Sequence, residues 1–233
     1  MPDLASGLVY YVVFLFSVTM HEAAHAWAAM RGGDLTAYHG GQVSLNPLPH
    51  IRREPIGMVV LPIIGVLLSG WPLGFASAPY DPTWARRHPR RAAWMALAGP
   101  GANLVLVVLA FLIIRSGAAA GIFYAPQSVS FDHLAGTDGG GLWPAVAFMV
   151  SVVFSLNLLL AVLNLIPLPP LDGSAAIPLF LSPAATVRYQ DFLFANRGLG
   201  LFGIFVAWRL FDKLFDPVFG LAINLLFPGV TYS

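Results

Sequence analysis

The chain has no cysteine. Disulfides and thiolate metal sites are therefore excluded, and any metal must be held by imidazole and carboxylate. Charge is nearly as scarce: 10% of the 233 residues are Asp, Glu, Lys or Arg, against about 25% in soluble domains. Glutamate occurs only as Glu22 and Glu54, and lysine only as Lys213. With 58% hydrophobic residues and a mean hydropathy of +0.75, a soluble globular domain is excluded. Several runs approach or exceed the roughly 18–20 apolar residues that cross a bilayer. No Lys or Arg precedes the first of them and no small-residue cleavage site follows, so it reads as a retained helix, not a removed leader.

The few charges are informative by position. Eleven of the twelve basic residues are Arg, and seven of them lie between Arg31 and Arg91, with Arg86, Arg87, Arg90 and Arg91 clustered. A basic cluster abutting a membrane segment marks a cytoplasmic loop and argues against a nucleic-acid site. Three spans are clear: Leu8 to Met30, Ala92 to Ile114, and Leu142 to Ile166. Ile56–Trp71 is apolar but short, holds Pro62, Gly65 and Gly70, and is flanked by Arg on both sides. A crossing would place one Arg cluster outside, so a re-entrant or interfacial helix with both ends cytoplasmic is expected. The N-terminus and the loop from Ser116 to Gly141 then lie outside. Two apolar pieces, Leu199–Leu210 and Val218–Phe227, end the chain, separated by Asp212, Lys213 and Asp216.

Tyr38 to Pro47 alternates polar and apolar residues and ends in a turn signal, as a strand would. The expected fold is an all-α polytopic membrane protein, a bundle of about four to six transmembrane helices with a small membrane-associated β-strand and re-entrant region. It forms a single domain over residues 1–233, with a core at about 8–181 and C-terminal helices at about 198–229.

Within the first span the only acidic or basic side chains from Leu8 to Met30, the two tyrosine phenols aside, are His21, Glu22 and His25, in the run HEAAH. In hydrocarbon each costs on the order of several kcal/mol unless paired, hydrated or bound to metal. Residues i and i+4 share a helix face, so both imidazoles can address one zinc ion, with Glu22 beside them as a base for a water. By simple frequency, the pattern arises by chance about once in a thousand chains of this composition. A catalytic zinc needs a third protein ligand. His39, His50 and His88 fall in cytoplasmic loops, His133 in the outer loop, and Glu54 beside Arg52 and Arg53, where it reads as their solvated partner. Asp172 lies in Asn164-Leu-Ile-Pro-Leu-Pro-Pro-Leu-Asp172-Gly173, where prolines break the third span near its cytoplasmic end. Asp172 is either the cap of the following segment or the ligand that HEAAH lacks, and the presence of HEAAH favours the ligand. At ~1.5 Å per residue, His25 and His21 lie about 9 and 15 Å inside Arg31, and Asp172 approaches from that side.

HEAAH in a membrane helix, Ala98-Gly99-Pro100-Gly101-Ala102-Asn103 opening the next span, and Asn164…Leu171-Asp172-Gly173 closing a later one resemble the site-2 protease family of intramembrane zinc metalloproteases. Gly41-Gln-Val-Ser-Leu-Asn-Pro47 also resembles the membrane-associated strand of its short bacterial members. The resemblance covers roughly Phe14 to Leu181. It implies one Zn²⁺ per chain on His21, His25 and Asp172, Glu22 as general base, and Asn164 and Asn103 as oxyanion-stabilising or substrate-orienting amides. It further implies a bacterial cell membrane location with the site toward the cytoplasm, and transmembrane proteins as substrates, their extended strand held by the edge at Gly41, Gln42, Val43 and Ser44. The outcome would be either regulated intramembrane proteolysis or clearance of signal-peptide remnants. On the residues alone Asn103 is a polar group at a helix start and Asn164 interhelical glue. The chain has no room for PDZ or CBS modules. Two other readings are a membrane zinc peptidase acting on soluble peptides, which would usually draw a later Glu that this chain lacks, and a metal transporter, which would need polar residues along several helices.

Overall fold

The computed structural model describes residues 4–196 and 198–232. Helix α1 runs Leu4–Gly32 and stops where the chain needs a left-handed residue. Gly33 takes φ +98°, its amide donates to Met30 and the Asp34 amide to Ala29, the paired bonds of a Schellman ending. Long helices α6 (Pro89–Ala119) and α7 (Trp143–Leu165) complete a three-helix core in which α6 packs on both others. Ala93, Ala96, Gly99, Ala102 and Ala110 are buried along α6, and small residues at this spacing let membrane helices approach closely. All three helices are long and apolar enough to cross a membrane. The end of the bundle holding Gly32 and Pro89 carries Arg31 and Arg86 to Arg91, and is here the basic end.

The stretch expected as a strand is turn and short helix. Helix α2 (Thr36–His39) is followed by a turn in which Gly41 adopts φ +74° and the Gln42 amide reaches back to Ala37. Asn46 then caps α3 (Pro47–Arg53) by accepting from the Leu48 amide. Local backbone and capping bonds satisfy groups that a strand would have to pair elsewhere. Among the described residues there are only two isolated β-bridges, Tyr124 with Gly136 and Ser130 with His133, both in the loop joining α6 to α7.

Ile56 to Leu73 folds as a hairpin. A π-helical turn (Ile56–Val60) leads into α4 (Leu61–Ser69), which ends at Gly70 with φ +74°. The chain then returns beside it: the Phe75 amide donates to the Gly57 carbonyl, and Arg53 donates to the Ser77 carbonyl. Both feet therefore meet at one level. The tip packs by Trp71 on Tyr10 and Phe131.

Short helices α5 (Pro82–Arg87), α8 (Asp172–Ala176) and α9 (Pro183–Ala195) surround the basic end. The two C-terminal apolar pieces are one helix, α10 (Leu199–Leu226). Pro217 lies inside it and forgoes a single backbone bond, so charged residues interrupt its hydropathy without interrupting its backbone. Gly203 lies against the Pro169 carbonyl beyond the end of α7, while the Leu226 carbonyl accepts from Arg115 of α6 at 3.0 Å.

Candidate metal centre

His21, Glu22 and His25 are all buried, one turn apart on α1. Asp172 reaches them because Pro167, Pro169 and Pro170 end α7 and turn the chain back into the bundle, so that α8 starts at Asp172 itself. The His21 and His25 Nε2 atoms are 3.0 Å apart, and Asp172 Oδ2 lies 3.1 and 3.3 Å from them. The Glu22 carboxylate completes the cluster within 4.8 Å of both imidazoles, and its Oε2 is buried with no hydrogen-bond partner.

The protons on this cluster follow from its neighbours. His25 Nδ1 is 2.7 Å from the Met95 carbonyl, which can only accept, so Nδ1 carries a proton and, in the neutral ring, Nε2 has the lone pair. For His21 the logic runs through two amides. Asn157 Nδ2 donates to the Val153 carbonyl and to Ser17 Oγ, so Asn157 Oδ1 must accept, and it does so from Asn103 Nδ2 at 2.8 Å. Asn103 Oδ1 is then the acceptor facing His21 Nδ1 at 2.6 Å, which leaves the His21 Nε2 lone pair in the cluster as well.

With both rings neutral, two lone pairs and a carboxylate oxygen converge, an arrangement that calls for a positive charge, a proton or a metal ion, at its centre. Zinc–ligand bonds of about 2.0–2.2 Å in a tetrahedron separate the ligand atoms by about 3.3–3.6 Å. The observed triangle of 3.0, 3.1 and 3.3 Å fits that cage within a few tenths of an ångström. His21, His25 and Asp172 could hold zinc and leave one position open. Space for the ion is kept by Gly99, where a Cβ would lie 2.3 Å from His25 Nε2 and 2.5 Å from His21 Nε2.

The cluster opens into a cavity of about 850 Å³ toward the basic end, lined by Glu22, His25, Asp172 and the chain from Ala76 to Tyr80. That segment has no regular structure and is pinned at both ends, by Phe75 on Gly57 and by the Asp81 amide on buried Asp34 Oδ2. Between the pins the amides of Ala76, Ser77, Ala78 and Tyr80 make no hydrogen bond among the described residues. Ser77 also holds Glu54, at 2.6 Å from Oε1, and Arg53, so Glu54 and Arg53 meet through a serine and not as an ion pair.

Of the residues singled out in the sequence, His21, Glu22, His25 and Asp172 come together. Asn103 joins them, not in the cavity but behind His21. Asn164 stands apart, its amide donating to the Leu160 carbonyl of its own helix, and it does not line the cavity. Gly41, Gln42, Val43 and Ser44 do not line it either. Gly99, Asn157, Ser17 and the 76–80 segment escaped sequence reasoning. An amide within the apolar run of α7, seven residues before Asn164, was the available signal for Asn157.

Buried metal-ligand geometry in a bundle of membrane helices, with a carboxylate beside it and a cavity before it, defines a membrane metallohydrolase. Residues 9–190 match the family described as Peptidase family M50, and the chain belongs to that family. It is similar to "Putative zinc metalloprotease YwhC" of Bacillus subtilis, 28% identical over 229 residues that cover 92% of this chain and 94% of that protein. It is also similar to proteins of the same description named Rip2, at 34% over 184 residues in Mycobacterium tuberculosis and 32% over 173 in Mycolicibacterium smegmatis. Those two alignments cover 78% and 73% of this chain, but 61% and 56% of the Rip2 proteins, so the chain spans little more than half their length. No solved structure matches the chain. It is a metalloprotease, and its apolar helices make it a membrane protein.

Proposed function

We propose that this protein is a zinc-dependent intramembrane endopeptidase that cuts membrane-spanning segments of other proteins, with its site near the cytoplasmic side. The observation that carries the reading is the convergence of two imidazole lone pairs and a carboxylate at 3.0–3.3 Å, about two turns inside the basic end of a membrane helix. His21, His25 and Asp172 hold one Zn²⁺. Bound there, zinc supplies Lewis-acid polarisation of the scissile carbonyl and makes a water easier to deprotonate.

The chain's own groups do the rest. Glu22 Oε2, buried and without a partner, takes the proton of the attacking water and later delivers it to the leaving amine. Asn103 and Met95 keep both imidazole Nδ1 atoms protonated, so the Nε2 lone pairs stay available. This assigns Asn103 to positioning His21 instead of stabilising the oxyanion. Asn164, eight residues before Asp172, remains the amide proposed for the oxyanion, reached by releasing the Leu160 carbonyl. A substrate helix hides its carbonyls in its own hydrogen bonds and must unwind to be cut. The unpaired amides from Ala76 to Tyr80 offer the unwound strand new partners at the cavity wall, a role that the sequence suggested for Gly41 to Ser44.

The test is Glu22→Gln in the full chain in membranes. The variant should bind zinc as the parent does and cleave nothing, and it should retain substrates long enough to be isolated with them and their cut sites mapped. A Glu22→Gln enzyme that still cleaves would remove Glu22 as the base. Substrates lacking any membrane segment would point instead to a peptidase of soluble peptides.

A further inference from the structure

Helix α10 carries four charges that no ion pair among the described residues answers. Arg209, Asp212, Lys213 and Asp216 are exposed, and among the described residues none of them forms an ion pair. At 3.6 residues per turn they fall within about 100° of arc, so they make one stripe along the helix. The depth of this stripe follows from the helix ends. Gly203 abuts Pro169 beyond the basic end of α7, and Leu226 is held by Arg115 near the far end of α6. The stripe starts about 9 Å from Gly203 and stops about 15 Å short of Leu226. It therefore lies level with the apolar middles of α6 and α7, where lipid can neither hydrate nor neutralise four ionisable side chains.

Along the stripe the signs run plus, minus, plus, minus, and sum to zero. A second copy related by a two-fold axis along the bundle would bring its α10 alongside in parallel. Arg209 would then stand about 4.5 Å along the axis from the partner's Asp212, and Lys213 the same distance from the partner's Asp216, within reach of both long side chains. The symmetry repeats each pair in reverse, so every charge in the stripe finds its opposite. On the same arc Gly220 faces open space, with nothing within 4 Å of where a Cβ would be, which allows two backbones to approach. Phe202 and Phe205, both exposed, continue that face toward the basic end.

We propose that this protein forms a two-fold homodimer in the membrane through α10, with the Arg209–Asp216 stripe paired against the same stripe of a second copy. A foreign span would have to carry a matching set of charges at the same depth, whereas a second copy carries it by symmetry.

Because the chain has no cysteine, single cysteines report the contact cleanly. Phe205→Cys and Gly220→Cys in the full chain, oxidised in native membranes, should give disulfide-linked dimers, while Val108→Cys on the exposed face of α6 should not. Pairing is then tested by charge reversal with two affinity tags. Arg209→Asp alone and Asp212→Arg alone should each lose self-association at least tenfold. Co-expressed, they should recover it as a mixed dimer, because each then supplies the sign the other lacks. Zinc content reports folding for every variant, since α10 holds no ligand. Folded variants whose α10 cysteines cross-link no better than Val108→Cys, or cross-link to a different protein, would overturn the proposal. So would a mixed pair no stronger than either reversal alone.

Discussion

At the residue scale, the site depends on what is absent from Gly99 as much as on what its ligands bring. A methyl group there would sit 2.3 Å from His25 Nε2 and 2.5 Å from His21 Nε2, in the space the ion requires. Gly99→Ala should therefore abolish zinc binding while the bundle stays folded, read by metal content beside thermal unfolding; a variant that keeps stoichiometric zinc would refute the steric argument. Asn157 acts at one remove. It touches no ligand, yet its bonds to Val153 and Ser17 decide which way Asn103 faces, and Asn103 decides the His21 tautomer. Replacing Asn157 by Leu should weaken zinc binding about 10- to 100-fold, the usual effect of losing an outer partner of a metal-ligating histidine. Asn157→Asp keeps the acceptor that Asn103 Nδ2 requires and so should keep the His21 tautomer, losing only the donation to the Val153 carbonyl. The grouping of His21, Glu22, His25 and Asp172 was legible in the sequence, since three charged or readily charged groups in hydrocarbon demand an explanation. The relay was not, because an Asn in an apolar span has no spacing rule that names its partner on another helix.

At the element scale, Asp34 is the latch that sets the cavity wall. Its carboxylate accepts from the Thr36 amide, the Thr36 hydroxyl and, on the other oxygen, the Asp81 amide 47 residues away. Burial pushes its pKa up, but the Thr36 and Asp81 donors outweigh that and hold it below the ordinary carboxylate value. A depressed folded pKa means that its contribution to stability is fully present above the unfolded value of about 3.9 and is lost as pH falls through that value toward the folded one. Thermal unfolding in detergent should show this loss below about pH 4. In Asp34→Asn that acid limb should flatten, and stability at neutral pH should fall by about 1–3 kcal/mol, because an amide cannot accept on both sides. The elements themselves were unevenly legible. Arg on both flanks of Ile56–Trp71 pointed to a re-entrant or interfacial helix with both ends on one side, and the chain there turns back so that Phe75 meets Gly57. The alternation from Tyr38 to Pro47 pointed to a strand, but Gly41 and the Asn46 cap close local bonds first. Asp212, Lys213 and Asp216 split the hydropathy of the C-terminus, although a helix backbone is indifferent to charge and only Pro217 could have broken it.

At the scale of the whole molecule, the fold places a buried cluster of metal-ligating groups beside a wall of unpaired backbone, and that pairing bears on which substrates can be cut. A transmembrane helix entering an 850 Å³ cavity gives up its own hydrogen bonds before any carbonyl is accessible, so the enzyme must return some of them. The amides of Ala76, Ser77, Ala78 and Tyr80 are the donors at hand. Ala78→Pro deletes one of them without touching a metal ligand or either pin of the segment. Loss of one backbone bond worth about 1 kcal/mol corresponds to roughly fivefold in kcat/KM, with zinc content unchanged. Ala78→Leu keeps the N–H and adds bulk, so it separates hydrogen bonding from crowding: it should cleave a substrate trapped by Glu22→Gln faster than Ala78→Pro does. If both variants lose activity alike, the wall acts by its shape. If neither does, the unwound strand finds its partners elsewhere in the cavity, and the segment between Phe75 and Asp81 serves only to enclose it.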